Sequence, residues 1–598
     1  MAIVELQKAT LYGTNSQQAA VIEGLQKLGC MHLINLRETP VQAPQLVSKE
    51  ARETLKYLTA SATQRKQEKS RFQFDREQLI QDVLEVKQQK ERLTAVRDDL
   101  KKAIADLEPW GEFRLPEQSE TGGWNFWFFQ VPRHRLAEIP ETVNWYVANE
   151  SPRFTYLVVL SENPPDLPFQ PLDLDHRPLS ELRRELLQIE HELEDLNWKR
   201  VTLTRWRSLL KQDLDAADDA AAQHSASQCM LSDPEVFALQ GWVPTNVCAD
   251  VKQFADEHHL AITLEAATPE DQPPTLLENP ERIAGAEGCV TFYITPNYHA
   301  WDPTVIVFFS FSLFFAMIMA DAGYGLLMAG ALFLSWKKLS QSAATVPFRN
   351  LLVGIVFATV VYGVLVGSYF GVEPREGFLV DKLRVRIGGE PMMSNQTAMM
   401  GIAVAIGVIH LSLANGISAW NSRHSFRCLG HLGWAFLIQG GFLMGAGSLA
   451  ETPQLFEIGK MLAIGGGVAV LLFSSDRTLL SWNPFWHLRR LFDGVMQVAN
   501  LSKAFGDCLS YLRLFALGLA SAQLAVTFND LAHQASQTKG FGVLLALLIL
   551  VVGHGINLLL GLMGGVVHGL RLNCIEFFNW SLTSEGYTFQ PFNKKAET

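Results

Sequence analysis

Leu509-Ser510-Tyr511-Leu512-Arg513-Leu514-Phe515-Ala516-Leu517-Gly518-Leu519-Ala520-Ser521-Ala522-Gln523-Leu524 sets one arginine inside a long apolar run. An arginine at bilayer depth costs roughly 2.5–3.5 kcal/mol on insertion scales, so it faces protein or water rather than lipid. No carboxylate stands three or four residues to either side, the spacing that would neutralise it within its own helix. Its helical side holds Ser502, Gly506, Ser510, Leu517, Ala520 and Leu524, mostly small residues that let a second helix approach closely. The stretch reads as a fixed positive charge offered to a partner that brings the negative one.

Outward from it, the second half of the chain is built of similar apolar runs. Segments at about 303–319, 321–337, 349–370, 397–418, 429–448, 458–475, 490–529 and 540–578 are candidates for membrane crossing, which takes about 20 apolar residues. The first two nearly touch, so their turn is tight and reads as a broken or re-entrant pair. The last two are about 40 residues long and must tilt, protrude or kink, because a continuous helix of that length spans roughly 60 Å. They carry most of the deep ionisable groups: Asp507, Arg513, His554, His568, Arg571 and Glu576. Asn557, Gly564, His568 and Arg571 share one side of the last segment, which makes Arg571 a second candidate charge. Asp507 lies off the Arg513 side, and Asp321 reads first as an N-cap of the second segment. His410 and His554 read as satisfied interior histidines.

Loop charges orient the bundle. Lys337, Lys338, Arg349, Arg423, Arg427, Arg477, Arg489, Arg490, Lys594 and Lys595 fall on one side, while the other side is balanced (Arg375, Lys382, Arg384 and Arg386 against Glu373, Glu376, Asp381 and Glu390) or acidic (Glu451, Glu457). With an even number of spans, both termini are expected in the cytoplasm. The start, Met1-Ala2-Ile3-Val4-Glu5-Leu6-Gln7-Lys8, has no apolar signal core, which agrees.

The first half is a different kind of chain. It holds about 31 basic and 46 acidic residues, against about 19 and 15 in the second half, so the two occupy different environments. Residues 1–45 and 228–300 are expected to form a membrane-proximal α/β lobe, and 110–175 a distal one. Both carry a strand closed by Val-Pro, then a polar helix, then a strand: Trp124 to Pro132 with Thr155 to Leu160, and Val236 to Pro244 with Ala261 to Leu264. Residues 46–109 and 176–225 are Lys/Glu/Gln/Arg-rich, with apolar residues at 3–4 spacing such as Leu79, Val83, Val86, Leu93 and Leu100, or Leu179, Leu182, Leu186, Ile189 and Leu193. They are expected to pair as a long antiparallel coiled-coil hairpin. The expected fold is thus a cytoplasmic arm, 1–300, with two α/β lobes, and an α-helical membrane bundle of about eight transmembrane helices, 301–598.

Several classes are disfavoured. The acidic soluble half offers no basic patch for nucleic acid. No G-x-x-x-x-G-K-[S/T] loop is present, so ATP is not bound in that mode. The seven cysteines form no CxxC pair, and no His/Cys/Asp/Glu cluster has metal spacing, so neither cofactor nor metal is expected.

The quoted stretch from Ser510 to Leu517, with Ala522-Gln523-Leu524 behind it, resembles the signature of the large membrane subunit of rotary V-type and A-type ATPases, called a in eukaryotes and I in bacteria and archaea. Gly241-Trp242-Val243-Pro244, Asp321-Ala322-Gly323-Tyr324-Gly325, Gly367-Ser368-Tyr369-Phe370-Gly371, His568-Gly569-Leu570-Arg571-Leu572 with Glu576, and Pro591-Phe592 extend the likeness along the whole chain. Phe515 stands where tryptophan is common, and Gly518 and Ser521 replace bulkier or more polar residues. The resemblance implies a non-catalytic stator in a prokaryotic cytoplasmic membrane. Its membrane half would embrace a ring of proteolipids, each with a buried carboxylate. Its arm would meet peripheral-stalk subunits, the central-stalk adaptor and through them the ATPase head. Arg513 would face the ring carboxylates and Arg571 would be the second charge. Gln523, His568, Glu576, Asp507 and Ser510 would line ion half-channels, and Asp321, Gly323 and Gly325 would form a structural membrane turn. The ion, H⁺ or Na⁺, is left open. Two rival readings, a self-contained secondary transporter with a regulatory arm and a membrane-anchored scaffold, lack respectively an internal repeat with its own carboxylate partner and a reason for the deep arginines.

Overall fold

The computed structural model describes residues 2–37, 48–114, 123–140, 143–375, 377, 379–392, 395–475, 484–582 and 584–595. Arg477 and Glu376, two of the loop charges used for orientation, lie outside them. The chain divides into two compact units: Met1–Gly13, Cys30–Ile34 and Ala238–Pro591 make one, and Thr14–Gly29, Asn35–Phe237 and Phe592–Thr598 the other. The strands run in chain order β1 (Leu6–Thr14), β2 (His32–Ile34), β3 (Asn125–Pro132), β4 (Trp145–Glu150), β5 (Phe154–Ser161), β6 (Val236–Pro244) and β7 (Ala261–Ala266). The longer helices before residue 300 are α1 (Gln18–Leu28), α2 (Lys49–Thr59), α3 (Arg76–Leu107), α4 (Leu179–Leu203), α5 (Arg207–Cys229) and α6 (Cys248–Glu257).

In the unit that begins at Met1, the strands stand in the order β2-β6-β1-β7, and β1 pairs antiparallel with β7 from Gln7↔Ala266 to Tyr12↔Ala261. Ala9 and Leu11 point to one buried face of β1, and Leu6, of opposite parity, is buried on the other. Gly241 of the Gly-Trp-Val-Pro motif sits against β2 so tightly that a Cβ there would lie 2.5 Å from Met31 Cγ and 2.7 Å from the His32 carbonyl oxygen. Lys8 crosses the Trp242 ring at 5.2 Å, and its ammonium also pairs with Asp271 at 2.5 Å. The end of the chain returns to this lobe. Thr275 N–H donates to the Tyr587 carbonyl (2.7 Å), Phe589 N–H to the Thr275 carbonyl (3.0 Å), and Gln590 N–H to His32 Nδ1 (2.9 Å). Phe589 is buried there with Leu6 and Trp242.

In the other unit, β3 and β4 both pair antiparallel with β5, over Phe129, Val131, Leu157 and Val159. A short 3-10 turn, Arg133–Glu138, and then β4 stand where a polar helix was expected. Pro132 and Pro140 bracket that turn, and Trp145-Tyr146-Val147 favours strand. Helices α3 and α4 run antiparallel: Arg183 meets Glu108 (2.7 Å), Lys101 meets Glu190 (2.9 Å), and Lys90 Nζ donates to Asn197 Oδ1 (2.7 Å). Their seam holds Leu100, Leu107, Leu179, Leu182, Ile189 and Leu193. The run expected to be helical from about Val47 is interrupted between α2 and α3. Asp75 caps α3 by accepting from the Glu77 and Gln78 N–H groups, and Glu68 N–H donates to the Arg205 carbonyl (2.9 Å).

Helix occupies every apolar segment named from the sequence. The helices are α7 (Thr304–Met319), α8 (Ala322–Leu339), α9 (Val346–Val366), α10 (Gln396–Asn421), α11 (Arg427–Leu449), α12 (Pro453–Phe473), α13 (Pro484–Val498), α14 (Leu501–Leu509), α15 (Leu512–Ser536), α16 (Gly542–Arg571) and α17 (Phe578–Ser581). Among the described residues, 6 helical stretches are long and apolar enough to cross a membrane, and α7 is a shorter apolar helix. The pair α11 and α12 closes through small residues: a Cβ at Gly433, Gly440 or Gly447 would lie within 3.0 Å of the facing backbone of α12. The two longest segments are not continuous rods. The seventh breaks at Ala499-Asn500 and again at Ser510-Tyr511, and the eighth turns from α-helix into a π-helical stretch, Leu572–Phe577.

The first tight turn is set by Asp321. Ala320 ends α7 in the left-handed region (φ 48°), and the Asp321 carboxylate then caps α8 by accepting from Tyr324 N–H (3.1 Å). The same carboxylate accepts from Ser368 Oγ–H (2.6 Å), Phe370 N–H (2.9 Å) and Gly371 N–H (3.0 Å). Gly323 leaves room for the Phe370 ring, which a Cβ would approach to 2.5 Å. Gly325 does the same for Val360, at 2.9 Å. The Asp-Ala-Gly-Tyr-Gly and Gly-Ser-Tyr-Phe-Gly motifs are the two halves of one joint.

Candidate ion-translocation site

The break at Ser510-Tyr511 carries neither proline nor glycine, so packing must hold it. Tyr511 is fully buried; its hydroxyl bonds His410 Nδ1 at 2.7 Å, and its ring fills the space over Gly407, where a Cβ would lie 2.6 Å away. His410 in turn stacks on Phe577 at 4.2 Å with 10° between the planes. Phe577 belongs to the π-helical stretch, so the break before α15 and the irregular end of α16 are clamped by the same pair. A π-turn inserts a residue into the helical register and is often found at functional sites. Here it carries Glu576 into the interior, 2% exposed.

Arg513, two residues past the break, is half-buried, and its Nη1 has no hydrogen-bond partner among the described residues. Neither Asp321 nor Asp507 neutralises it. Asp321 is occupied as above, and Asp507 Oδ2 accepts from Trp580 Nε1–H at 2.7 Å. Among the described residues, Arg571 and Glu576 lie within electrostatic range of Arg513, and His568 lies within range of both arginines. Arg571 Nε lies 3.9 Å from Glu576 Oε1, a contact too long for a hydrogen bond. Glu576 Oε2, His568 Nδ1 and His410 Nε2 are, like Arg513 Nη1, buried and without a hydrogen-bond partner among the described residues. Buried polar groups are nearly always paired, so such a cluster belongs where water, an ion or another chain completes it.

The structure therefore brings together Arg513, His568, Arg571 and Glu576, with Ser510 and Asp507 next along the chain at the break. Gln523 does not join them: it is exposed, ten residues on along α15. Asp321, Gly323 and Gly325 form the separate joint.

A second polar group lies along α15 beyond Arg513. Asn557 Nδ2 donates to the Tyr324 hydroxyl (3.0 Å) and to the Ser521 carbonyl (2.9 Å). The Tyr324 hydroxyl bonds His554 Nδ1 (2.7 Å), His554 Nε2 bonds Asn529 Oδ1 (3.1 Å), and Asn529 Nδ2 donates to the Phe370 carbonyl (2.8 Å). Since both amides donate at their far ends, the polarity of the chain is fixed: Tyr324 donates to Nδ1, and Nε2–H donates to Asn529. The chain runs from about 12 Å to about 24 Å beyond Arg513, at 1.5 Å per residue. His554 is satisfied at both nitrogens, as expected; His410 is satisfied at one only, against expectation. Sequence reading missed Tyr324, Asn529 and Asn557 as a set. The available signal was two carboxamides in apolar helices, with His554 and Asn557 three apart on one face.

Comparison with known proteins agrees in kind. Residues 505–594, which contain the whole Arg513 cluster except His410, match the V-type ATPase 116kDa subunit family. V-type ATP synthase subunit I of Chlamydia pneumoniae is 27% identical over 595 residues, covering 87% of this chain and 86% of that protein. Subunit I of Chlamydia trachomatis is 30% identical, covering 64% of this chain and 66% of the relative. A-type ATP synthase subunit I of Methanocaldococcus jannaschii is 28% identical, covering 60% and 55%. The crystal structure of the cytoplasmic N-terminal domain of a subunit I, homolog of subunit a of V-ATPase, aligns with 43% of this chain and 99% of that one at 14% identity. Its TM-score is 0.21. With its helical membrane half, the polar cluster around Arg513 and these relatives, the chain belongs to the V-type ATPase 116kDa subunit family, the family of V- and A-type ATP synthase subunit I.

Proposed function

We propose that the chain is the non-catalytic membrane stator of a rotary V/A-type ATPase or ATP synthase, and that Arg513 faces the carboxylates of a proteolipid ring. The observation that carries this reading is the incomplete cluster: four buried polar atoms of Arg513, His568, Glu576 and His410 without hydrogen-bond partners among the described residues. A ring carboxylate supplies what Arg513 lacks. The exposed apolar faces of α14 and α16, with Phe505, Leu559, Met563 and Val567, supply a surface for it to slide past.

An opposite charge at close range lowers a carboxylate pKa by about 1–3 units, so Arg513 drives each arriving carboxylate to its ionised form. Glu576, His410 and Asp507 on one side of the Ser510-Tyr511 break, and the Tyr324–His554–Asn529 chain on the other, line the two half-channels. The fixed charge between them opposes a leak from one to the other. Arginine holds its proton under any such condition, which lysine in an apolar site does not. The N-terminal α/β and helical region, 1–300, anchors the peripheral stalks and meets the central-stalk adaptor, with both termini in the cytoplasm. The test is the assembled complex in sealed vesicles. Arg513→Gln is expected to abolish ATP-driven ion uptake while ring and head subunits still co-purify; uptake at wild-type rates, or a chain that purifies alone, overturns the reading.

A further inference from the structure

A cleft of about 1110 Å³ lies in the unit that carries the membrane helices, between the start of β1 and the turn that joins α10 to α11. One wall is cationic: Arg423 at the end of α10, and Arg427 and His431 one turn apart at the start of α11. Arg423 lies over the Trp420 ring at 5.4 Å. The lining also includes two carboxylates. Asp302 is spoken for, since Oδ1 accepts from Thr304 N–H (2.9 Å) and Thr304 Oγ1–H (2.5 Å), and Oδ2 from Asn279 (2.7 Å). Glu5 is the other. His299 also lines the cleft, its Nε2 3.4 Å from the Asp271 carbonyl.

A volume near 1,000 Å³ suits an organic ligand rather than a simple ion. Two guanidiniums with an imidazole recognise a phosphate, and a carboxylate in the same cleft recognises an ammonium. The rim of the cleft continues onto apolar helix surface: Val305 and Phe309 on α7, and Trp420, Phe426 and Leu429 beside the basic turn, are all exposed. Exposed tryptophan beside basic residues at helix ends is the pattern of a membrane–water interface. A ligand there has its polar end in the cleft and its apolar end along the helices.

We infer that this cleft binds the headgroup of a membrane phospholipid that carries both a phosphate and a primary ammonium, the phosphate on Arg423 and Arg427 and the ammonium on Glu5, with the acyl chains lying on the outer faces of α7 and α11. The site ties the lobe to the bilayer at a point that ion translocation does not use. It requires only that the helices span a membrane.

The test is native mass spectrometry of the full-length protein in its complex, delipidated and titrated with dioleoyl phosphatidylethanolamine, phosphatidylglycerol, phosphatidylcholine or inorganic phosphate. The expected result is retention of phosphatidylethanolamine about tenfold stronger than of phosphatidylcholine, equivalent to one good charged contact. Arg423→Gln with Arg427→Gln is expected to abolish retention, and Arg423→Lys to keep most of it. Glu5→Gln is expected to remove the preference for the ethanolamine lipid while sparing binding as such, which separates lost recognition from lost folding. Equal retention of all three lipids, retention unchanged in the double variant, or competition by inorganic phosphate at the same concentration as lipid overturns the inference. So does a polypeptide of the complex crosslinked into the cleft from position 423.

Discussion

At the scale of single residues, Arg513 and Tyr511 do different work two positions apart. If Arg513 shifts a passing carboxylate by 1–3 pKa units, its loss slows proton release by about 10- to 1000-fold and also removes the fixed charge that opposes a leak, so no net uptake remains. Arg513→Lys is therefore expected to retain a measurable fraction of ion uptake and Arg513→Gln none, compared in the same vesicles. Tyr511→Phe tests the clamp instead. It strips the buried His410 imidazole of the only hydrogen bond it makes among the described residues, at a cost of about 1–3 kcal/mol. Its expected signature is a lower midpoint for unfolding of the membrane region together with reduced coupling; an unchanged midpoint shows that the break does not depend on this contact. Arg513 was legible in the sequence because a permanent charge in an apolar helix is conspicuous by composition alone. His410 was not, because its partner is 101 residues away and its stacking on Phe577 depends on a π-turn that no residue type announces.

At the scale of elements, the irregularities matter more than the helices. Periodicity located each apolar helix, but nothing in it marks Ala499-Asn500 or Ser510-Tyr511 as breaks, since neither contains a strong breaker and tertiary packing overrides propensity there. The same holds between α2 and α3, where Glu68 and Asp75 bond to neighbours rather than continue the helix. The Asp321 joint was half legible: its cap was expected, but its grip on Ser368, Phe370 and Gly371 was not. Two predictions belong to this scale. Deleting Cys574 takes out the extra residue that the π-turn accommodates, so the stretch closes to α-helix and the turn that carries Glu576 inward is lost. Ion uptake is expected to fall while the complex still assembles; assembly with full uptake shows that the π-turn is incidental. Gly323→Val drives a side chain into the Phe370 ring, an overpacking that costs about 1–3 kcal/mol. It is expected to raise protease sensitivity at the Ser368–Gly371 loop, and the smaller Gly323→Ala to do so less.

At the scale of the whole molecule, the chain's last residues make the lobe and the membrane helices of one unit mutually dependent. The strap Glu585–Gln590 pairs with Thr275 and Thr295, buries Phe589 beside Leu6 and Trp242, and ends with Gln590 N–H on His32 Nδ1. Sequence reading assigned the tail to the membrane half because its polar, loop-like composition carries no period that ties it to a strand 558 residues earlier. His32 makes this contact sensitive to pH. Burial lowers its pKa below the ordinary value of 6.5, and the Gln590 contact needs Nδ1 as an acceptor, which the neutral ring provides. The undocked state, with His32 in water, binds a proton from about pH 6.5 downward while the docked state stays neutral, so docking is strongest above pH 6.5 and weakens as pH falls toward the depressed value. Hydrogen exchange at the amides of Thr275, Phe589 and Gln590, corrected for the intrinsic pH dependence of exchange, is expected to show less protection at pH 5.5 than at pH 7.5. His32→Gln removes the titrating group, so its protection is expected to be the same at both values; a variant that keeps the wild-type pH response assigns the effect to another group and frees the strap from His32.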